Sequence, residues 1–116
     1  MENKRIEQLE VFLKTNPENA LIQYSLGLEY LKAREAGKAI LNFREAIRIQ
    51  ADYSAAYRDL GKALALDRKS EEAVQTYRQG IEVAKGRGDL QTAKEMRVFL
   101  RRITQEPKDA EDSCTE

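Results

Sequence analysis

The chain has 116 residues, which is the size of one domain. Its twenty basic and twenty acidic side chains cancel, so no net positive charge attracts it to nucleic acid or an anionic membrane. It contains no histidine, so the commonest general base and the commonest metal ligand are both missing. No apolar run reaches the length of a signal peptide or the ~20 residues of a membrane span, and we therefore expect a cytoplasmic protein.

Helix-forming segments separated by start and stop signals occupy nearly the whole chain. Asn16-Pro17-Glu18 combines a capping residue, a first-turn proline and an acid near the positive helix end. Ser70-Glu71-Glu72 marks a second start, and Gly88-Asp89 precedes the last periodic segment. We predict helices near residues 2–14, 19–33, 36–49, 53–66, 70–84 and 89–104. The short connections make neighbouring helices antiparallel.

The predicted helix 19–33 has two apolar faces. The first, formed by Ile22, Leu26 and Tyr30, must be covered by the partner helix of its hairpin. The second face consists of Leu21, Tyr24, Leu28 and Leu31. Soluble proteins rarely leave such a patch bare. Three coverings are open: helix 2–14 through its apolar residues Ile6, Leu9, Phe12 and Leu13, a second copy in a homodimer, or a segment of a partner protein.

A shift of 34 residues superposes one helical hairpin on the next. Small residues coincide where two helices must approach closely, and large residues coincide where the space between helices must be filled. The coinciding pairs are Leu60-Gly61 with Leu26-Gly27, Leu64 with Tyr30, Ala73 with Ala39, Tyr77 with Phe43, Gly80 with Ala46 and Ile81 with Ile47.

A 34-residue helix–turn–helix unit with these residues resembles the tetratricopeptide repeat (TPR). The resemblance covers about residues 5–104 and implies an all-α fold, an antiparallel helix-hairpin α-solenoid of six helices. Residues 1–105 would form the domain, with a half-repeat at 2–14, repeats at 19–49 and 53–84, and a capping helix at 89–104. The chain departs from the family pattern at Gln23, where a large aromatic is usual, and at Ala51 and Lys85, where the proline between repeats is missing.

The resemblance implies a non-catalytic protein-interaction module, an adaptor or assembly factor, that binds a partner segment on its concave face. On that face the residues 34 positions after the second apolar face of helix 19–33 are Ala55, Arg58, Lys62 and Ala65. The predicted partner-binding residues are therefore Leu21, Tyr24, Leu28, Leu31, Arg58 and Lys62. We hypothesise a peptide with apolar anchors next to acidic groups. The carboxylate clamp of chaperone-binding members is absent, since Tyr24, Leu28 and Asp59 replace its lysine and asparagines and Asp89 and Ala93 replace its basic pair.

The last predicted helix combines an apolar stripe with a basic one. Leu90, Ala93, Met96, Leu100 and Ile103 form the stripe expected to be buried. Lys94, Arg97 and Arg101, with Arg102 beside them, form a basic stripe that makes weak nucleic-acid contact a minor alternative. Because no stacking aromatics lie between these residues, nucleic acid is an unlikely partner.

The segment after this helix, residues 106–116, carries five acidic residues against one lysine and no large apolar residue, so we expect an acidic disordered tail. It contains Cys114, the only cysteine of the chain, which excludes an internal disulfide.

No pattern of catalytic residues is present in the sequence. Neither a serine–histidine nor a cysteine–histidine pair can form, and no metal-ligand spacing or phosphate-binding glycine loop occurs. We therefore expect no enzyme activity, no cofactor, no metal and no small-molecule substrate. The tripeptide Arg87-Gly88-Asp89 is interpreted as a helix stop followed by a helix cap rather than as an adhesion motif. A self-associating structural subunit remains the main alternative to the interaction module.

Overall fold

The computed structural model describes residues 3–105, and within them the chain forms six α-helices and no strand. Each observed helix boundary lies within three residues of the predicted one, so the predicted all-α fold is confirmed. The predicted tail, residues 106–116, lies outside the described residues. The helices are α1 Lys4–Thr15, α2 Ala20–Lys32, α3 Ala36–Ile49, α4 Ser54–Leu66, α5 Ser70–Arg87 and α6 Leu90–Thr104.

The 34-residue repeat extends to the backbone of the turns. Helices α2 and α4 begin 34 residues apart, and so do α3 and α5. Between the helices of each hairpin, Arg34 and Arg68 both adopt the left-handed conformation with a φ of 62°. The amide three residues beyond each helix end donates to a carbonyl of the last turn, from Glu35 to Tyr30 and from Lys69 to Leu64, both over 2.9 Å. The two hairpins therefore share one turn geometry.

Each hairpin closes by packing an aromatic ring directly on a glycine. A Cβ atom at Gly61 would lie 2.5 Å from Cζ and 2.7 Å from Cδ1 of Tyr77, and a Cβ at Gly27 would meet the ring of Phe43 as closely. Phe43 and Tyr77 are among the most deeply buried side chains of the described residues. The small residues of the repeat thus allow the two helices of a hairpin to approach each other.

The helices form two rows. In one row α2 packs against α4 and α4 packs against α6. In the other row no Cα atoms of α3 and α5 come within 8 Å of each other in the described part of the chain, although Arg44 of α3 reaches Glu72 of α5 over 3.0 Å. Because the α2–α4–α6 row is the more tightly spaced, it lies on the inside of the curve. We call the solvent-facing side of α2, α4 and α6 the concave face. None of the helices within residues 3–105 is long and apolar enough to cross a membrane.

Three helix termini differ from the sequence interpretation. Asn16 ends α1 rather than starting α2, and the side chain of Asn19 caps α2 by accepting from the amide of Ile22 over 3.0 Å. Ser70 is the first residue of α5 rather than its cap. Helix α5 continues through Gly86 and ends at Gly88, which has a φ of 78°. Asp89 then caps α6, so the interpretation of residues 87–89 as a stop and restart is confirmed.

The prediction that Leu90 belongs to the buried stripe of α6 is wrong, since Leu90 is 66% exposed. It is the first residue of α6 and points about 90° away from the stripe formed by Ala93, Met96 and Leu100. Those three side chains are buried as predicted.

The Asp89 carboxylate caps α6 and also ties it to α4. It accepts a hydrogen bond from the amide of Thr92 over 3.3 Å and another from the buried hydroxyl of Ser54 over 2.6 Å. We expect Asp89→Ala to lower the free energy of unfolding by about 1–2 kcal/mol, because a cap is lost and the Ser54 hydroxyl loses its acceptor. Urea unfolding at pH 7 measures this loss. Glu82→Ala, at an exposed acid of α5, is the control and should change stability little.

The effect of Asp89→Ala should also depend on pH. Hydrogen bonds from Ser54 and Thr92 lower the pKa of Asp89 below its usual value. The folded-state pKa of Asp89 lies below the unfolded value of about 3.9. The stability that the ionised Asp89 carboxylate adds to the fold is therefore complete above that pH and disappears as the pH falls through the folded-state pKa. The difference between wild type and variant should therefore shrink in acid. A difference that stays constant or grows in acid would contradict the assignment.

Candidate functional site

The structure separates the predicted apolar face of α2 into one exposed residue and three half-buried ones. Leu21 is 64% exposed. Tyr24, Leu28 and Leu31 are half-buried and pack against the hydrophobic core. The ring of Tyr24 lies 5.7 Å from that of Phe43 and 4.9 Å from that of Tyr53. The exposed apolar surface is therefore smaller than the sequence suggested, because Tyr24 turns toward α3 and α4.

Helix α1 packs against α2 but leaves Leu21 exposed. Its polar contacts with α2 are made by Arg5, whose Nε lies 3.5 Å from Oε2 of Glu29, and by Glu10, which accepts a hydrogen bond from the Tyr30 hydroxyl over 3.3 Å. Around α2, Glu29 lies about 90° and Tyr30 about 170° from the direction of Leu21 and Leu28. Helix 2–14 therefore leaves at least Leu21 of this face open.

A hydrogen-bonded network crosses the concave face from α2 to α6. The Tyr24 hydroxyl donates to Oδ2 of Asp59 over 2.5 Å. The guanidinium of Arg58 donates to the same Asp59 oxygen over 3.1 Å, to the Tyr24 hydroxyl over 3.2 Å and to Oε1 of Glu95 over 2.8 Å. The Asp59 side chain is only 4% exposed and that of Arg58 only 23%. The three helices of the inner row are thus connected by four polar side chains.

The electrostatics of the network hold Arg58 in its charged form. Burial opposes the charge, but the hydrogen bonds to Asp59 and Glu95 outweigh it, so the pKa of the Arg58 guanidinium is raised. Burial, together with the bond to Asp59, raises the pKa of Tyr24 well above its usual value, and the phenol stays a donor. Arg58, predicted to pair with acidic groups of a partner, therefore already has two carboxylates of its own chain.

Two positive charges of the concave face, apart from Arg58, lie over one aromatic ring. Nζ of Lys62 lies 5.0 Å from the ring centroid of Phe99, and Cζ of Arg102 lies 5.7 Å from it. Both distances are within the range of a cation–π interaction. The Phe99 ring also stacks on that of Tyr77, with 5.9 Å between centroids. We call Lys62, Phe99 and Arg102 the cationic cluster.

The charge of the cationic cluster is only weakly compensated. Lys62 lies 3.7 Å from Oδ1 of Asp59, a carboxylate that also serves Tyr24 and Arg58. Among residues 3–105, no acidic side chain forms an ion pair with Arg102. The other members of the predicted basic stripe do not form one exposed row, since Arg97 and Arg101 are half-buried.

Sequence reasoning missed three residues of this site: Asp59 and Glu95, which hold Arg58, and Phe99, which gathers the two cations. Glu95 occurs among many other acids on amphipathic helices, so no signal in the sequence sets it apart. The family resemblance places Asp59 on the concave face but does not indicate that it binds Arg58. Phe99 could have been found, because it is the one large aromatic of α6 and lies outside the buried stripe.

Chemically, the concave face offers apolar contact at Leu21 and Leu28, cation–π surface at Phe99 and positive charge at Lys62 and Arg102. These are features of a surface that binds an extended segment. Within residues 3–105, no group of three or more acidic or sulfur side chains is placed to hold a metal ion.

Comparison with known proteins agrees with the repeat and the fold. A TPR repeat-containing protein of Pseudomonas aeruginosa is 38% identical over 98 residues, which cover 84% of this chain and 93% of the relative. A protein of Bordetella parapertussis is 33% identical over 90% of both chains, and its solution structure superposes with a TM-score of 0.79.

A more distant structure shares the fold alone. The TPR2B domain of yeast Sti1, solved in a complex with pHsp70, gives a TM-score of 0.82 at 17% identity over 88% of this chain and 82% of that one. No protein-family model matches the chain. The identity to the Pseudomonas relative over nearly its whole length, together with the two matching hairpins, shows that this chain belongs to the tetratricopeptide repeat family.

Proposed function

We propose that this chain is a non-catalytic adaptor or assembly factor that binds an acidic segment of a partner protein on its concave face. TPR domains are protein-interaction modules, and proteins of this family are generally non-catalytic. The observation that carries the proposal is the cationic cluster, in which Lys62 and Arg102 share the ring of Phe99.

The partner segment would be extended, with an acidic group at the cationic cluster and an apolar side chain against Leu21 and Leu28. The predicted binding residues Leu21, Tyr24, Leu28, Leu31, Arg58 and Lys62 belong to this proposal in different roles. Arg58 and Tyr24 shape the surface through their bonds to Asp59, whereas Lys62, with Arg102, supplies the charge. Support for a bound segment also comes from the yeast Sti1 domain, whose fold is alike and which was solved with pHsp70.

A charge reversal on the concave face should reduce partner binding. In a pulldown, we expect the double variant Lys62→Glu with Arg102→Glu to hold at most a tenth of the main partner that wild type holds. The reason is that two charges that attract an acidic segment become charges that repel it. The matched control is Lys38→Glu with Arg44→Glu, which makes the same change of charge on exposed residues of α3 in the outer row.

Two results would contradict the proposed site. One is equal retention of the partner by wild type and by the Lys62/Arg102 variant. The other is an equal loss in both double variants, which would indicate a general effect of charge. Light scattering on the same samples tests the self-association alternative: a wild-type dimer that Leu21→Glu dissociates would assign the exposed apolar residues to a second copy instead.

A further inference from the structure

We propose that the acidic segment 106–116 of this chain binds the cationic cluster in cis and competes with the partner for it. The inference rests on the proposed function, because it concerns the same face. It adds a regulatory element: a partner segment reaches Lys62 and Arg102 only by displacing the chain's own acids.

Complementary charge is the first argument. Residues 106–116 contain five acidic side chains and one lysine, whereas residues 1–105 contain nineteen basic and fifteen acidic ones. The two parts of the chain therefore carry net charges of −4 and +4 at neutral pH. At physiological ionic strength charges attract over about 8 Å, so an exposed acidic segment interacts mainly with cations close to its point of attachment.

The point of attachment is the second argument. Helix α6 ends at Thr104, and Gln105 follows with a φ of 58°, which turns the chain away from the helix axis. Arg102 lies within the last turn of α6, so the cationic cluster sits next to the place where the acidic segment begins. Residues 106–112 can span up to ~23 Å when extended, which is ample to bring Asp109, Glu111 and Asp112 to Lys62 and Arg102.

The third argument is that the cluster has capacity for more negative charge. Asp59 is already shared among Tyr24, Arg58 and Lys62, and Glu95 is bound to Arg58. A carboxylate from the segment that follows α6 would supply the acid that Arg102 lacks within residues 3–105. A tether this short gives such a carboxylate a high effective concentration at the cluster, in the millimolar range for flexible linkers.

The single cysteine of the chain allows a direct test. A nitroxide spin label on Cys114 of the full chain broadens the amide signals of nearby residues in a ¹⁵N-resolved NMR spectrum. We expect a loss of signal at Lys62 and Phe99, and little loss at Gln75 and Gln79. The latter two lie on exposed positions of α5 at the level of Phe99, because Tyr77 between them stacks on that ring.

Two controls establish that charge causes the broadening. Neutralising the segment with Glu106→Gln, Asp109→Asn, Glu111→Gln and Asp112→Asn should restore the Lys62 and Phe99 signals. Raising the salt to about 1 M, where the screening length is ~3 Å, should do the same. Because the substitutions lie outside the six helices, the remaining spectrum should stay unchanged, which verifies that the variant is folded.

Three results would overturn the inference. One is broadening confined to the residues next to Gln105. Another is broadening at Lys62 that survives neutralisation of the acids. The third is equal broadening in a mixture of two chains, one with the spin label but no ¹⁵N and one with ¹⁵N but no spin label. That result would place the segment of a second copy at the cluster. Since no partner is needed, a negative result here leaves the charge-reversal pulldown as an independent test of the proposed function.

Discussion

We expect Asp59→Ala to lower the free energy of unfolding by about 2–3 kcal/mol. Removing one member of a buried ion pair typically costs about 3–5 kcal/mol because the other charge is left without compensation. Asp59 is 4% exposed and serves both Tyr24 and Arg58. The estimate is below the usual range because Arg58 keeps its bond to Glu95 and part of its exposure to water.

Urea denaturation followed by circular dichroism measures the effect of Asp59→Ala. The matched control is Asp67→Ala, at an exposed acid at the end of the same helix, which should cost no more than about 1 kcal/mol. Tyr24→Phe removes one donor of the network, and its effect should not add to that of Asp59→Ala because both changes delete the same hydrogen bond. Equal losses for Asp59→Ala and Asp67→Ala, or full additivity with Tyr24→Phe, would contradict the network.

Gly61→Ala should lower the free energy of unfolding by about 1–2 kcal/mol although alanine is the better helix former. The added Cβ would lie 2.5 Å from Cζ of Tyr77, and the buried ring has no room to move away. Overpacking of this kind costs about 1–3 kcal/mol. The higher helix propensity of alanine offsets up to about 1 kcal/mol of that cost.

The control for Gly61→Ala is Gly37→Ala. A Cβ at Gly37 in α3 would meet nothing within 4 Å, so this substitution should leave stability unchanged or raise it. Thermal unfolding should therefore show a lower midpoint than wild type for Gly61→Ala, and an equal or higher midpoint for Gly37→Ala. If both variants are as stable as wild type, the close packing of α4 on α5 does not limit stability.

The sequence was sufficient for the fold because its repeat is a local pattern. Leu26-Gly27 and Leu60-Gly61 occupy equivalent places 34 residues apart, and so do the aromatic residues that pack on them. The turns were less predictable. Arg34 and Arg68 take a left-handed backbone conformation that usually falls on glycine, so the glycine that would have indicated these turns is missing from the sequence. Gln23, which stands where the family usually has a large aromatic, is buried, but the hydrogen bond that it accepts from Asn42 over 2.9 Å joins two helices and has no signal in the sequence.

The candidate site was only partly predictable because it is built across helices. The concave location of Arg58 and Lys62 followed from the repeat, but the acids that hold Arg58 depend on how α2, α4 and α6 are stacked. The extended α5 matters too: α6 begins 36 residues after α4 rather than 34. A spacing of 34 would place different residues of α6 beside Lys62, so Phe99 and Arg102 could not be assigned to it from periodicity alone.

The spacing of 36 residues has a steric consequence at the last helix. Leu60, Gly61 and Leu64 of α4 correspond at this spacing to Met96, Arg97 and Leu100 of α6, and the two flanking positions are buried in both helices. Arg97 thus occupies the place where the earlier hairpins require a residue without a side chain. A ring that approached α6 as Tyr77 approaches Gly61 would collide with the stem of Arg97, so a further helix could not pack on α6 in the way that α5 packs on α4.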